Sequence, residues 1–228
     1  MTLAAERPDV LVALSARWVS TGPFHADDAR AHRSVIDLPG FGVEPRFDCA
    51  GVPELARALV TDAARAGVRA ACAQRGIDTA LSVPLHFLVR GRRLPVVPVS
   101  LAEAPRAGHR AWGESLRHTL AKRPERVAFV AGGALAFNLH AFNLRRDLDE
   151  AKELDERVLE SLKLGLWNAL AELEPPLLEK AQPEAELRHL EVLRGFLLGD
   201  LRGRVLEHET SPGVGTALVE FALEQPAG

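Results

Sequence analysis

The 228-residue chain contains no tyrosine, one methionine and two cysteines, and its three Trp and nine Phe supply all of the aromatic content. Cys49 and Cys72 form no CxxC pair, and no other Cys or His stands at zinc-finger spacing, which excludes a structural zinc ribbon. Two cysteines suit a reducing compartment better than a disulfide scaffold. No apolar run reaches the roughly 18 residues of a membrane span. Met1 to Pro8 lacks the apolar stretch of a signal peptide, so a cytoplasmic protein is expected. Charge of one sign is also missing. The balance of 28 basic and 31 acidic residues leaves a net charge of −3, which argues against a general nucleic-acid binder. None of the eight histidines forms HxH or HExxH, and no GxGxxG is present, so neither a local metal motif nor a dinucleotide fingerprint exists.

What is present is an ordinary globular composition, 47% apolar and 26% charged, on a chain long enough to bury a sizeable core. The run from Asp9 to Ser15 reads as a buried strand. Residues 19–50 carry enough Pro and Gly to read as one long irregular stretch. Pro53 opens a helix over Glu54–Ala66, closed by Gly67. Val68–Ala73 reads as a short strand. Leu94–Leu101 reads as another, whose two prolines suggest an edge or an unpaired segment. A helix over Arg110–Arg123 precedes a strand at Val127–Ala131 that Gly132-Gly133 ends. Helices follow at 148–174, broken by Pro175-Pro176, and at Glu184–Leu198. A last strand covers Thr216–Ala222. Strands alternating with helices predict an α/β fold. A central, mostly parallel or mixed sheet would be flanked by helices, with residues 1–228 as a single domain.

Local chemistry is sparse. His25, Asp27, Asp28 and His32 are the densest group of possible ligands, and their simpler reading is a solvated helix start. Gly132-Gly133 admits an anion in principle but reads first as a tight turn, as does Ser211–Gly215. Cys72 reads as a buried, inert thiol. His86 and Trp112 read as packing residues, and Arg90, Arg92 and Arg93 as a loop tip with a weaker claim to an anion.

The order of segments, from about residue 9 to residue 222, resembles the class III extradiol ring-cleavage dioxygenases. Protocatechuate 4,5-dioxygenase and DOPA-dioxygenase-like enzymes belong to this group. Val10 to Trp18 is similar to a family strand ending in Ser-x-His-Trp, and Ile36–Phe41 to an Asp-Phe-x-Gly-Phe loop. Gly51–Ala56 resembles the start of the family's first long helix. Gly76–Leu85 is similar to Gly-x-Asp-His-Gly-x-Trp-Val-Pro-Leu, and Leu94–Leu101 to the strand after it. Ala131–Leu139 resembles Gly-Ser-Gly-x-Leu-Ser-His-Asn-Leu.

The resemblance implies a fold and an ancestral chemistry. Such enzymes hold Fe(II), sometimes zinc, through two His and a third His or Glu, and a separate His acts as acid and base. At the corresponding positions this chain has Arg17, Thr79 and, for the acid/base His, Phe137. An earlier His ligand has no counterpart ahead of the first strand. Only Pro183–Gly199 retains candidates, in His189 or Glu191. A guanidinium offers no lone pair and stays charged, so Arg17 repels a cation.

The expectation is a metal-free, non-catalytic homologue serving as a structural, regulatory or small-ligand-binding subunit. Arg17, Thr79, Phe137, Asn138 and His189 would line the former metal cleft, with Arg17 holding a small carboxylate or an internal acid. Its partners would be further copies of itself or a catalytic homologous subunit, and its ligand small, anionic or aromatic. The alternative is an active aromatic ring-cleavage dioxygenase in which Fe(II) or zinc is held by relocated ligands drawn from His25, His32, His189 and Glu191.

Overall fold

The computed structural model describes residues 7–35, 37, 46–89 and 91–223. The strands are β1 (Val10–Ser20), β2 (Phe24–Asp27), β3 (Ala31–His32), β4 (Cys49–Ala50), β5 (Ala70–Ala73), β6 (Val96–Ala102), β7 (Val127–Gly132), β8 (Arg204–Ser211) and β9 (Val214–Glu220). The α-helices are α1 (Pro53–Arg65), α2 (Thr79–Val89), α3 (Arg106–Leu120), α4 (Leu139–Asn143), α5 (Asp149–Leu164), α6 (Pro175–Ala181) and α7 (Arg188–Leu197). Short 3₁₀ turns occupy Trp167–Ala171 and Glu184–Leu187. Contacts divide the chain into two compact units. One comprises residues 1–133 and 188–196, the other residues 134–187 and 197–228.

The first unit is built on a five-stranded mixed sheet of order β5-β2-β6-β1-β7. β1 runs parallel to β6 and β7, β2 runs parallel to β5, and β2 meets β6 antiparallel. This is the α/β architecture the sequence predicts. β1 sits inside the sheet with Leu11, Val12, Ala13 and Leu14 wholly buried, a continuous apolar run suited to a strand covered on both faces. Ile77, Leu81, Leu85 and Val89 pack onto it from α2 and its approach, joined by Leu94 and Val96. Each full burial of such a side chain contributes about 1.5–3 kcal/mol. Helix α1 starts with Pro at its first position and Glu54 in its first turn. It buries Leu55, Ala56, Leu59 and Ala63 at helical spacing.

Two sequence expectations fail here for physical reasons. β6 is no edge strand: it lies between β2 and β1 and is buried throughout. The Leu11 amide donates to Pro95 O at 3.0 Å, which sets the parallel ladder so that Val97 and Val99 present their amides to β1. Pro98 therefore turns its missing amide toward β2, where the pairing is a single bridge at Val99. Residues 19–50 are not one irregular stretch either, since β2, β3 and β4 arise within them. Ile36 and Leu38–Phe41 lie outside the described residues.

The second unit contains α4, α5, both 3₁₀ turns, α6 and the antiparallel hairpin β8–β9. The last strand thus pairs in its own two-stranded sheet. Its turn is Pro212-Gly213, with Gly213 at φ 72°, the residue order of a type II turn. The helix expected over 148–174 stops at Leu164 because Gly165 caps it at φ 73°. Pro175-Pro176 then opens α6, which begins a helix where a break was expected.

Candidate functional site

At the end of β1 the pairing with β6 jumps from Ser15↔Ser100 to Val19↔Leu101, so Ala16, Arg17 and Trp18 bulge out of that ladder. Bulges at strand ends re-aim side chains. Arg17 is directed onto Asp37, with its Nε in an ion pair with Asp37 Oδ2 and its Nη2 donating to the Asp37 carbonyl at 3.4 Å. Asp37 also sits over the N-terminus of α2. The Thr79 amide donates to its Oδ1 at 3.0 Å and the Thr79 hydroxyl to its Oδ2 at 3.0 Å. A carboxylate at that position satisfies a free helix amide and complements the helix dipole.

A second carboxylate lies beside the first. Asp78, buried immediately before α2, accepts the Ser15 hydroxyl at 2.8 and 2.7 Å on its two oxygens. Burial pushes its pKa up, against the opposing pull of Ser15 and Arg75. The Arg75 guanidinium stands 3.6 Å from Asp78, donates to the Arg17 carbonyl at 3.1 Å, and lies 5.7 Å from the centre of the Trp18 ring. Arg17 and Arg75 thereby face Asp37 and Asp78, two cations against two anions.

A further buried carboxylate holds the neighbouring strand ends together. Asp27 accepts the amides of Ala29 at 2.9 Å, Arg75 at 2.8 Å and Gly76 at 2.9 Å, and its Oδ2 lies 3.4 Å from His32 Nδ1. Burial alone raises its pKa. The bonds from His32 and the three amides outweigh burial and hold it at about 2. The group His25–His32 is therefore no solvated helix start. It is strand, with Asp27 and His32 buried as a structural clasp. His32 Nε2 faces Val96 O at 3.1 Å, so both ring nitrogens are turned to oxygen atoms. His25 stacks on Trp18 with ring centres 5.8 Å apart.

On α7, His189 is buried beside Gly133, where a Cβ would stand 2.7 Å from Ala16 Cβ and 3.1 Å from His189 Cε1. Burial holds its imidazole pKa down to about 4. Glu191 is buried and pairs with Arg106 at 2.8 Å and Arg110 at 2.8 Å, one turn apart on α3. It acts there as a helix-to-helix clamp. Gly132 is likewise a packing residue, because a Cβ there would lie 2.2 Å from Ala80 O.

Phe137 and Asn138 belong to the second unit. They lie on a loop whose successive amides are all bonded. Ala134 donates to Glu184 at 2.7 Å, Leu135 to Gly215 O, Ala136 to Asp155 at 2.9 Å, Phe137 to Ala181 O and Asn138 to Gly213 O. Asn138 caps α4 by accepting the Ala141 amide at 3.0 Å. Asp155 faces His208 at 3.4 Å, and burial pushes the Asp155 pKa up.

Of the residues singled out from sequence, Arg17 and Thr79 are brought together, and Asp37 joins them. His25, His32, His189 and Glu191 are each engaged or packed separately. Among the described residues no three of His, Cys, Asp and Glu gather to hold a metal ion. Cys72 is exposed on β5, not buried, and His86 is exposed beside Phe87. Trp112 is a core residue as expected, its Nε1 donating to Ser100 O at 3.2 Å. Arg90 lies outside the described residues. Sequence reasoning missed Asp78 with Ser15 and the two arginines on Glu191, and it named Asp27 without its buried role. The i, i+4 spacing of Arg106 and Arg110 was the one available signal for that clamp.

The extradiol dioxygenases this sequence resembles rely on a bound divalent metal, and the donors present here do not suit one. At the position where the resemblance implies a histidine ligand, Arg17 carries a positive charge and offers no lone pair. Thr79 offers a hydroxyl already given to Asp37, and both oxygens of Asp37 accept bonds from Arg17 and Thr79. Arg75 adds a second cation nearby.

The solved structure of the uncharacterized protein JW3007 from Escherichia coli K12 shares the fold at a TM-score of 0.72 and 18% identity, covering 95% of this chain and 87% of its own. The 3,4-dihydroxyphenylacetate 2,3-dioxygenase of Escherichia coli is 22% identical over 208 residues, which is 83% of this chain and 74% of the relative. Residues 1–219 match the family described as the catalytic LigB subunit of aromatic ring-opening dioxygenase, and the chain belongs to that family.

Proposed function

We propose that this chain is a metal-free, non-catalytic member of its family, serving as a structural, regulatory or small-ligand-binding subunit. One observation carries the reading. Where the resembling enzymes place a histidine ligand at the end of the first strand, Arg17 bulges out and is locked to Asp37, which simultaneously caps α2 through Thr79. A guanidinium–carboxylate pair beside a helix N-terminus satisfies internally the charges that a metal and its ligands would otherwise balance. The loop bearing Phe137 supports the same reading: its amides remain fully bonded, while its aromatic side chain has no proton to move. Such a chain retains a scaffold and gives up a reaction, and fold alone does not restore it. Its partner in this reading is a catalytic homologous subunit or a second copy of itself.

The test is oxygen uptake by protein preloaded anaerobically with Fe(II) and supplied with 3,4-dihydroxyphenylacetate or protocatechuate. Uptake equal to that of the iron-only control, with no ring-opened chromophore, is the expected result. Substrate-dependent uptake that saturates with protein concentration would overturn the proposal.

A further inference from the structure

Helix α7 belongs to the first unit, but the chain comes to it from the second unit at Leu187 and rejoins the second unit at Leu197. Both connections are left-handed at residues that bear side chains. Before the helix, Ala185, Glu186 and Leu187 take φ 48°, 53° and 59° in succession, and after it Leu198 takes φ 57°. Such residues adopt this region at a cost, and ordinarily one at a time. Leu198 stands where helices commonly end on glycine. Three successive left-handed residues persist only because the surrounding structure holds them there.

What holds them is the docking of α7 on α3 and β7. A Cβ at Gly113 would lie 2.0 Å from Val192 O, and one at Gly195 2.1 Å from Arg110 O, so the two helices touch backbone to backbone. Leu190, Val192 and Phe196 are buried, and Phe196 stacks on Phe129 with ring centres 4.1 Å apart. Glu191 adds its clamp onto Arg106 and Arg110. The docked helix carries two further costs beside its connections. The Glu191 carboxylate is desolvated. His189 is buried, and its Nδ1 has no hydrogen-bond partner among the described residues. The His189 ring and Ala16 both close on Gly133, where a Cβ would stand 3.2 Å from His189 Nδ1 and 2.7 Å from Ala16 Cβ. Undocking α7 relieves all three costs. It also spares the five-stranded sheet, since none of its strands lies in α7.

We propose that α7 is a releasable lid on the first unit. Charge and packing dock it, the left-handed turns at its two ends oppose docking, and its opening uncovers His189 and the end of β1 at Ala16. Elements that open to admit ligands are drawn from the least stable parts of a fold. In the ligand-binding form of the proposed function, the lid governs access to the strand end that carries Arg17. That role rests on the proposed function, whereas the opening itself does not.

Hydrogen exchange of the native full chain, read by mass spectrometry, tests the opening without a ligand. Protection in α7 should be at least tenfold below that in β1 and β6 and depend little on urea, as for an opening that exposes one helix. Diethyl pyrocarbonate should modify His189 in the native chain well ahead of global unfolding, with exposed His86 giving the unhindered rate. Ala185→Gly combined with Leu198→Gly lets both turns keep their φ without strain and should raise protection in α7 at least threefold. Glu191→Gln should lower it at least tenfold. Protection in α7 equal to that in β6 would overturn the proposal. So would a His189 that reacts only on global unfolding, a glycine pair with wild-type or lower protection, or a Glu191→Gln variant with unchanged protection. Oxygen uptake and iron content judge the metal-free reading separately.

Discussion

Asp27→Asn tests the electrostatic reasoning most sharply, because the hydrogen bonds around the buried carboxylate fix the sign of the effect and set its order of magnitude. Asp27 is wholly buried, and its pKa is held at about 2 against an ordinary 3.8. At 1.36 kcal/mol per tenfold, that gap makes the ionised side chain worth about 2 kcal/mol to the folded state at pH 7. A depressed carboxylate contributes stability that is complete above its unfolded pKa and is lost as pH falls through its folded pKa. The contribution should therefore drop to about 1 kcal/mol at pH 3 and fade as pH falls below about 2. Asparagine also turns an N–H₂ donor toward amides that are themselves donors, which adds about 1 kcal/mol at every pH. Urea unfolding of wild type and variant should thus show a gap of about 3–4 kcal/mol at pH 7 that narrows by about 1 kcal/mol at pH 3. A gap independent of pH, or one below about 1 kcal/mol at pH 7, would refute the account of Asp27 as an ionised clasp.

Other outcomes follow from the same geometry. Asp155→Asn should destabilise far less than Asp27→Asn at pH 7 and improve in relative terms as pH rises above 3.8, because burial raises the pKa of Asp155 and its ionised form weakens the fold. The urea series used for Asp27 reads this directly. Gly113→Ala places a Cβ 2.0 Å from Val192 O, between α3 and α7. Such overpacking should cost about 2 kcal/mol or more, read as a fall in thermal midpoint. A thiol reagent at pH 8 should label exposed Cys72 well ahead of Cys49 in the native chain, although burial and Asp28 push the Cys72 thiol up as well. Cys49, with a half-buried thiol that burial pushes up to about 12, should react only on unfolding.

The sequence made the framework legible wherever periodicity and punctuation agreed. β1 showed as an unbroken apolar run and α1 as a Pro-initiated amphipathic helix. The alternation of strands with helices carried the α/β layering. Legibility failed where tertiary pairing overrode local rules. Pro98 suggested an edge, yet the ladder direction makes its missing amide harmless in the sheet interior. Strand β8 is polar and largely exposed, so no apolar alternation announced it. The site divides in the same way. Arg17 and Thr79 stood out as departures from a motif, but their common partner Asp37 lies twenty residues from Arg17 and forty-two from Thr79. No spacing rule connects those three. His32 looked like a ligand and proved to be half of a buried clasp with Asp27, since burial cannot be read from a short polar stretch.

The central claim is that the Arg17–Asp37–Thr79 lock stands where a metal would have to be held. It is tested most directly by iron content after anaerobic Fe(II) loading and desalting of the full chain. Well under one-tenth of an iron per chain is the predicted result, unchanged when catecholic acids are added. Close to one iron per chain would contradict the account and would mean that ligands elsewhere in the chain hold the metal.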